Sequence, residues 1–189
     1  MGAFVAVEGL PGCGKTTATQ ALAEILRSEG YRVQIVGLDT TEKQRIYRKI
    51  AGECSPEDPR RTLLYWLVRL EQQDETQRLI DESNLVIADR YWGSTIAMDA
   101  FGKQVPEHVC AWVEGYSIQA DLTIFLDAPV ATIRARKGAR TMQNDAFASR
   151  VEAGYRNLAQ ARGWLRIDAS QPIEQVIEDL RSSIDSLLS

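Results

Sequence analysis

Two rhythms of apolar residues run along this chain of 189 residues. Short, mostly apolar runs recur at residues 3–7, 31–36, 85–88, 122–126 and 164–167. Runs of that length, rich in Val, Ile, Leu and Phe, predict strands buried on both faces. Between them apolar residues fall three or four apart, which predicts helices at about 15–29, 41–51, 60–83, 94–101, 106–118, 145–162 and 173–188. Gly30 stops the first helix, and the longest takes its apolar face from Leu63, Leu64, Leu67 and Leu70, then Leu79 and Ile80. Strand and helix alternate throughout, so the expected fold is α/β, three layers on a five-stranded parallel sheet. No repeat, low-complexity tract or linker interrupts the pattern, and a single domain over 1–189 is expected. In such folds functional side chains gather at the C-terminal ends of strands. Glu8, Asp39, Asp89, Arg90 and Asp127 all stand there.

The first strand-to-helix junction reads Gly9-Leu10-Pro11-Gly12-Cys13-Gly14-Lys15-Thr16-Thr17. G-x-x-x-x-G-K-[ST] between a strand and a helix is the pattern of a phosphate-binding loop. Glycines let backbone N–H groups turn inward, and the helix that starts near Lys15 adds its positive dipole end. Lys15 is then placed to reach β- and γ-phosphates and Thr16 to ligate Mg²⁺. Gly9, Gly12, Cys13, Gly14 and Thr17 complete the nucleotide-binding set, with Cys13 read as a small residue tolerated in the loop. Asp89 follows an apolar strand, where an aspartate supports the metal in phosphate-loop proteins. Arg90 beside it offers a guanidinium fork for a second phosphate.

Composition narrows the partners. A net charge of −4 without a basic block excludes a nucleic-acid polymer held by its backbone. No apolar run approaches the roughly 20 residues of a membrane helix. The chain enters its first strand at once, so no leader is expected. Three scattered cysteines, Cys13, Cys54 and Cys110, suit a reducing compartment and show no metal spacing. A cytoplasmic protein is expected, with oligomeric state, a homodimer included, left open.

Several motifs, in order, resemble those of the thymidylate kinases. They are Phe4-Val5-Ala6-Val7-Glu8-Gly9 with the loop, Asp89-Arg90-Tyr91 with Ser94-Thr95, Leu126-Asp127-Ala128-Pro129, and Asp168-Ala169-Ser170-Gln171-Pro172-Ile173-Glu174. Residues 63–69 resemble that family's nucleobase-binding helix, and Phe147, Arg150, Val151 and Tyr155 its helix after the lid. The resemblance implies a nucleoside monophosphate kinase fold with a small basic lid over about 134–144. It implies ATP and Mg²⁺ as cofactors and a small nucleotide as acceptor. By the same resemblance Arg134, Arg136 and Arg140 form the lid, and Asp168, Ser170, Gln171 and Pro172 line an adenine pocket. Tyr65 stacks on the acceptor base, Arg69 bonds its edge, and Asp39, Arg90, Ser94 and Thr95 complete the acceptor side. Three departures fall on that side. Pro11 replaces an acidic loop residue, Leu38 an arginine before Asp39, and Met98-Asp99 a Tyr-Gln pair.

The expected chemistry is in-line transfer of the γ-phosphoryl group of ATP to a nucleoside monophosphate, with charge neutralisation by Lys15, Arg90, the lid arginines and Mg²⁺. Two alternatives stay open. One is a deoxynucleoside kinase, in which Glu8 is general base toward a hydroxyl. The other is a non-catalytic nucleotide-binding protein, although no Asn-Lys-x-Asp guanine-reading motif is present.

Overall fold

The computed structural model describes residues 1–136 and 144–188. Its five strands are β1 (Ala3–Glu8), β2 (Val33–Val36), β3 (Leu85–Asp89), β4 (Leu122–Asp127) and β5 (Leu165–Asp168). All neighbours pair in parallel, in the order β2-β3-β1-β4-β5. Phe4, Val5, Val7, Leu85 to Ala88 and Ile124 to Leu126 are each at most 1% exposed. Consecutive strand residues point to opposite faces, so near-complete burial of such runs means that both faces are covered. The covering helices are α1 (Lys15–Ser28), α2 (Glu42–Glu53), α3 (Pro59–Glu71), α4 (Gln73–Glu82), α5 (Trp92–Ile96), α6 (Glu107–Glu114), α7 (Val130–Ala135), α8 (Asp145–Arg162) and α9 (Ile173–Ile184). The three-layer α/β/α arrangement is the one the alternating pattern predicts. Among the described residues no helix is long and apolar enough to cross a membrane.

Register positions the site. Val7 of β1 pairs with Asp89 of β3 on one side and with Ile124 of β4 on the other. The loop after Glu8 and the turn at Asp89-Arg90 therefore leave the sheet side by side.

The helix predicted over 106–118 ends at Glu114, α7 forms where no helix was predicted, and two further helical expectations change near the site. The single helix predicted over 60–83 divides at Gln72 into α3 and α4. The Gln73 side-chain amide donates to the Arg69 carbonyl at 2.6 Å, the oxygen that a continuing helix gives to the backbone N–H of Gln73. The same side chain accepts from Ile118 N at 2.8 Å and pairs with the Tyr91 hydroxyl at 2.7 Å. A tertiary anchor thus breaks a helix that periodicity alone continues. The helix predicted over 94–101 starts earlier as α5 and widens into a π-helical turn over Ala97–Gly102, closed by Lys103 N donating to the Met98 carbonyl. Asp99 inside that turn is held on both carboxylate oxygens, by Trp66 Nε1 and Lys103 Nζ, each at 2.8 Å. π-Helical turns recur at functional sites.

Candidate active site

Past Glu8 the chain must bend beneath β4. Gly9 adopts φ 148°, and a Cβ there would stand 2.6 Å from the Leu126 carbonyl oxygen, so only glycine fits. The loop ends at Gly14 (φ 103°), the residue before α1, and no side chain caps that helix. Its first-turn N–H groups are left for an anion. Lys15 is buried against the loop, donating to the Leu10 carbonyl at 2.7 Å with Cys13 Sγ at 3.4 Å. Burial, and next the positive charge of Arg90, lower its pKa to about 8. Thr16 Oγ1 donates to Asp89 Oδ2 at 2.5 Å, and Asp89 Oδ1 is buried without a hydrogen-bond partner. An alcohol, a carboxylate oxygen and an orphan oxygen beside a phosphate loop form the hard donor set that Mg²⁺ takes. No cluster of three His, Cys, Asp or Glu that could hold a metal exists among the described residues. Thr16 and Asp89 are the residues that would hold a magnesium ion there.

Two cavities flank the loop. The first, of about 540 Å³, runs along Cys13, Gly14, Thr17 and Arg136 to Ser170, Gln171 and Pro172. Arg136 bridges its two sides, donating to the carbonyls of Cys13 (3.1 Å) and Ala169. Asp168 Oδ1 accepts from the backbone N–H (2.8 Å) and hydroxyl (2.6 Å) of Ser170 and so shapes the far turn. The second cavity, of about 360 Å³, lies between the loop, α3 and α5. Tyr65, Arg69, Arg90, Ser94 and Thr95 line it, and so do Pro11, Leu38, Met98 and Asp99.

A sequence model of the family described as "Thymidylate kinase" matches residues 7–180. The chain belongs to the thymidylate kinase family. A thymidylate kinase of Alkalilimnicola ehrlichii is 30% identical, covering 100% of this chain and 94% of the relative. One of Thermosynechococcus vestitus is 30% identical over 97% of this chain and 87% of its own length. One of Prochlorococcus marinus is 29% identical over 97% and 94%. Membership makes the chain a phosphotransferase of the nucleoside monophosphate kinase class, acting on small nucleotide substrates.

Set against the thymidylate kinase pattern, the structure brings most of the site residues read from sequence to the loop and its two cavities. Arg69 is buried, donating to the Arg90 carbonyl at 2.8 Å, with Gln72 Oε1 at 3.3 Å and Thr95 Oγ1 at 3.4 Å. Burial lowers its pKa to about 10, leaving it charged at neutral pH. Tyr65 faces the cavity with the Arg61 guanidinium 5.8 Å from its ring centroid. Asp39 stands apart. It is exposed, outside the cavity lining, and pairs with Arg48 at 2.9 Å. Arg134 closes α7 and pairs with Asp145 at the start of α8. Arg140, and most of the segment read as a lid, lie outside the described residues.

Arg61 and Lys103 also line the second cavity, and the sequence reading does not mark either. The spacing of Asp99 and Lys103, four apart, was the available signal for Lys103. Arg61 carried none, because its role depends on the α2–α3 packing. It donates to the carbonyls of Ala51 and Cys54 at the end of α2.

Proposed function

We propose that the chain transfers the γ-phosphoryl group of Mg²⁺-bound ATP to the phosphate of a nucleoside monophosphate, with thymidylate the acceptor that the family puts first. The observation that carries this reading is the placement of Arg90 on the cavity opposite the phosphate loop, in a left-handed backbone conformation (φ 73°). That conformation is strained for arginine and is characteristic of functional sites. Arg90 Nη1 is bound to the loop through the Gly9 carbonyl at 3.0 Å. Thr16 and Asp89 would hold Mg²⁺, which neutralises phosphate charge. Lys15 and the α1 N-terminus bind the donor phosphates, and the cavity through Arg136 and Ser170 receives the adenine. Tyr65 and Arg69 take the acceptor base. Arg134 and Arg140 remain proposed lid residues.

The nucleoside kinase alternative needs Glu8 as base at the acceptor. Glu8 is 0% exposed, accepts from Tyr91 N at 3.0 Å and Ser94 Oγ at 2.5 Å, and is not among the residues lining the acceptor cavity. Those partners favour the monophosphate reading. Pro11, Leu38 and Met98 remove hydrogen-bonding groups from the acceptor cavity, so acceptor range is where this chain departs from its relatives. A cytoplasmic homodimer completes the proposal. Ile46, Ile50, Leu63 and Leu67 are 43–55% exposed on adjoining helices α2 and α3, a stripe suited to a second copy. Light scattering reads the mass of a dimer, or of a monomer if this part is wrong.

The test is a panel of nucleosides and their monophosphates with ATP and Mg²⁺, reading ADP release. Turnover with monophosphates and none with nucleosides supports the reading. Turnover confined to nucleosides, or acceptor-independent ATP hydrolysis, refutes it.

A further inference from the structure

Arg90 is held by a buried polar chain that reaches across the sheet. Its Nη1 donates to Gly9 O (3.0 Å), Ser94 Oγ (3.2 Å) and the Tyr155 hydroxyl (3.4 Å). Tyr155 donates in turn to Ser94 Oγ at 2.8 Å, and Ser94 donates to Glu8 Oε2 at 2.5 Å. Arg90 Nη1 carries two hydrogens for three acceptors, so one of them is shared between two, and the hydroxyl directions are then consistent. Ser94 accepts from Tyr155 and Arg90 and gives its one hydrogen to Glu8. Tyr155 accepts from Arg90 and gives its one hydrogen to Ser94. Glu8 and Tyr155 are each 0% exposed, and Tyr155 stacks on Phe125 with ring centroids 5.6 Å apart and planes 7° apart. The other oxygen of Glu8 is taken by Tyr91 N, on the residue after Arg90. So one nitrogen of the guanidinium is fixed from the loop after β1, from α5 and from α8 at once. Its remaining N–H groups have no part in these contacts.

We propose that Glu8 and Tyr155 are positioning residues, acting through Ser94 to hold the Arg90 fork on the acceptor phosphate. The proposal rests on the monophosphate reading above. Glu8 then moves no proton. It anchors the hydroxyl that anchors the arginine. Tyr155 adds the stacked ring that keeps its hydroxyl from swinging away. Burial pushes the Tyr155 pKa up, so the phenol remains a donor at every working pH. A fork held this way loses little rotamer freedom when phosphate arrives, which is what preorganisation contributes to binding.

The test combines kinetics with a direct view of the arginine. Tyr155→Phe and Ser94→Ala, made singly, should raise the KM for the best monophosphate acceptor about tenfold, the size of one lost hydrogen bond to a charged group. The KM for ATP should stay within about twofold, because Lys15 and Thr16 are untouched. In an Arg90→Ala background, Tyr155→Phe should change kcat/KM by less than about twofold, since the arginine it serves is gone. The ¹⁵Nε resonance of Arg90 should lose order in both single variants. Equal Tyr155→Phe costs with and without Arg90, a matching rise in the KM for ATP, or an Arg90 resonance unchanged in both variants would each overturn the proposal. If the wild-type protein phosphorylates no monophosphate, the functional reading fails. The Arg90 resonance still decides whether Tyr155 and Ser94 position the side chain.

Discussion

Raising the pH from 7 to 9 should weaken ATP binding about tenfold, through Lys15 alone. Its ammonium is buried beneath the loop, with the Leu10 carbonyl and Cys13 sulfur as partners. Loss of water is the main cause of its lowered pKa of about 8, and the Arg90 charge is the second. Arriving phosphates favour the charged form and lift that pKa. Above pH 8, binding must therefore recruit a proton. The free lysine is about 90% protonated at pH 7 and about 10% at pH 9, so the apparent Kd rises about tenfold, or about 1.4 kcal/mol. Calorimetry in two buffers of different ionisation enthalpy, at fixed ionic strength, reads the proton directly. Uptake should be about 0.1 at pH 7 and about 0.9 at pH 9. Lys15→Met should weaken binding at pH 7 and remove the difference between buffers. Stability carries the opposite sign. The unfolded lysine titrates near 10.5. Between about pH 8 and 10.5 the unfolded state binds more protons, so this residue's contribution to stability rises with pH. Below pH 8 its burial subtracts about 3 kcal/mol. A Kd equal at pH 7 and 9, with no proton uptake, would refute the reasoning.

Lys15→Ala should lower kcat by about 10²–10³ without lowering the melting temperature, since a buried charge is removed, checked by steady-state kinetics and calorimetry. Asp89→Asn removes the negative charge beside Thr16 and should raise the Mg²⁺ concentration for half-maximal activity at least about tenfold, read from a Mg²⁺ titration. Glu8→Gln should retain kcat within about threefold, whereas loss of a general base costs about 10²–10⁴. Leu126→Ala, at a fully buried β4 position, should cost about 2–5 kcal/mol in denaturant unfolding.

The alternation of apolar runs and amphipathic stretches carried the fold, because the central strands β1, β3 and β4, covered on both faces, leave near-continuous hydrophobic runs, whereas the edge strands β2 and β5 keep exposed residues such as Gln34, Leu165 and Arg166. The phosphate loop was equally legible, since its chemistry is confined to consecutive residues. The break at Gln72 was not, because it depends on Gln73 meeting Ile118 and Tyr91 from distant segments. Glu8 shows the same limit. It stands out in the sequence as a strand-end carboxylate, but that Tyr91 and Ser94 engage its two oxygens depends on the fold. Asp39 stood at a strand end too, yet its outward turn toward Arg48 is set by α2. The acceptor-side departures were visible as single letters. That Pro11, Leu38, Met98 and Asp99 share one cavity with Arg90 emerges only from the fold.

The central claim is that phosphate, and not a hydroxyl, receives the transferred group. ³¹P NMR of the protein with ATP, Mg²⁺ and thymidylate, followed over time, tests it most directly. The account predicts loss of the monophosphate signal and growth of the coupled α and β resonances of a nucleoside diphosphate beside those of ADP. With thymidine in place of thymidylate it predicts no new signal. A new monophosphate ester signal from thymidine, or growth of inorganic phosphate alone, would contradict it.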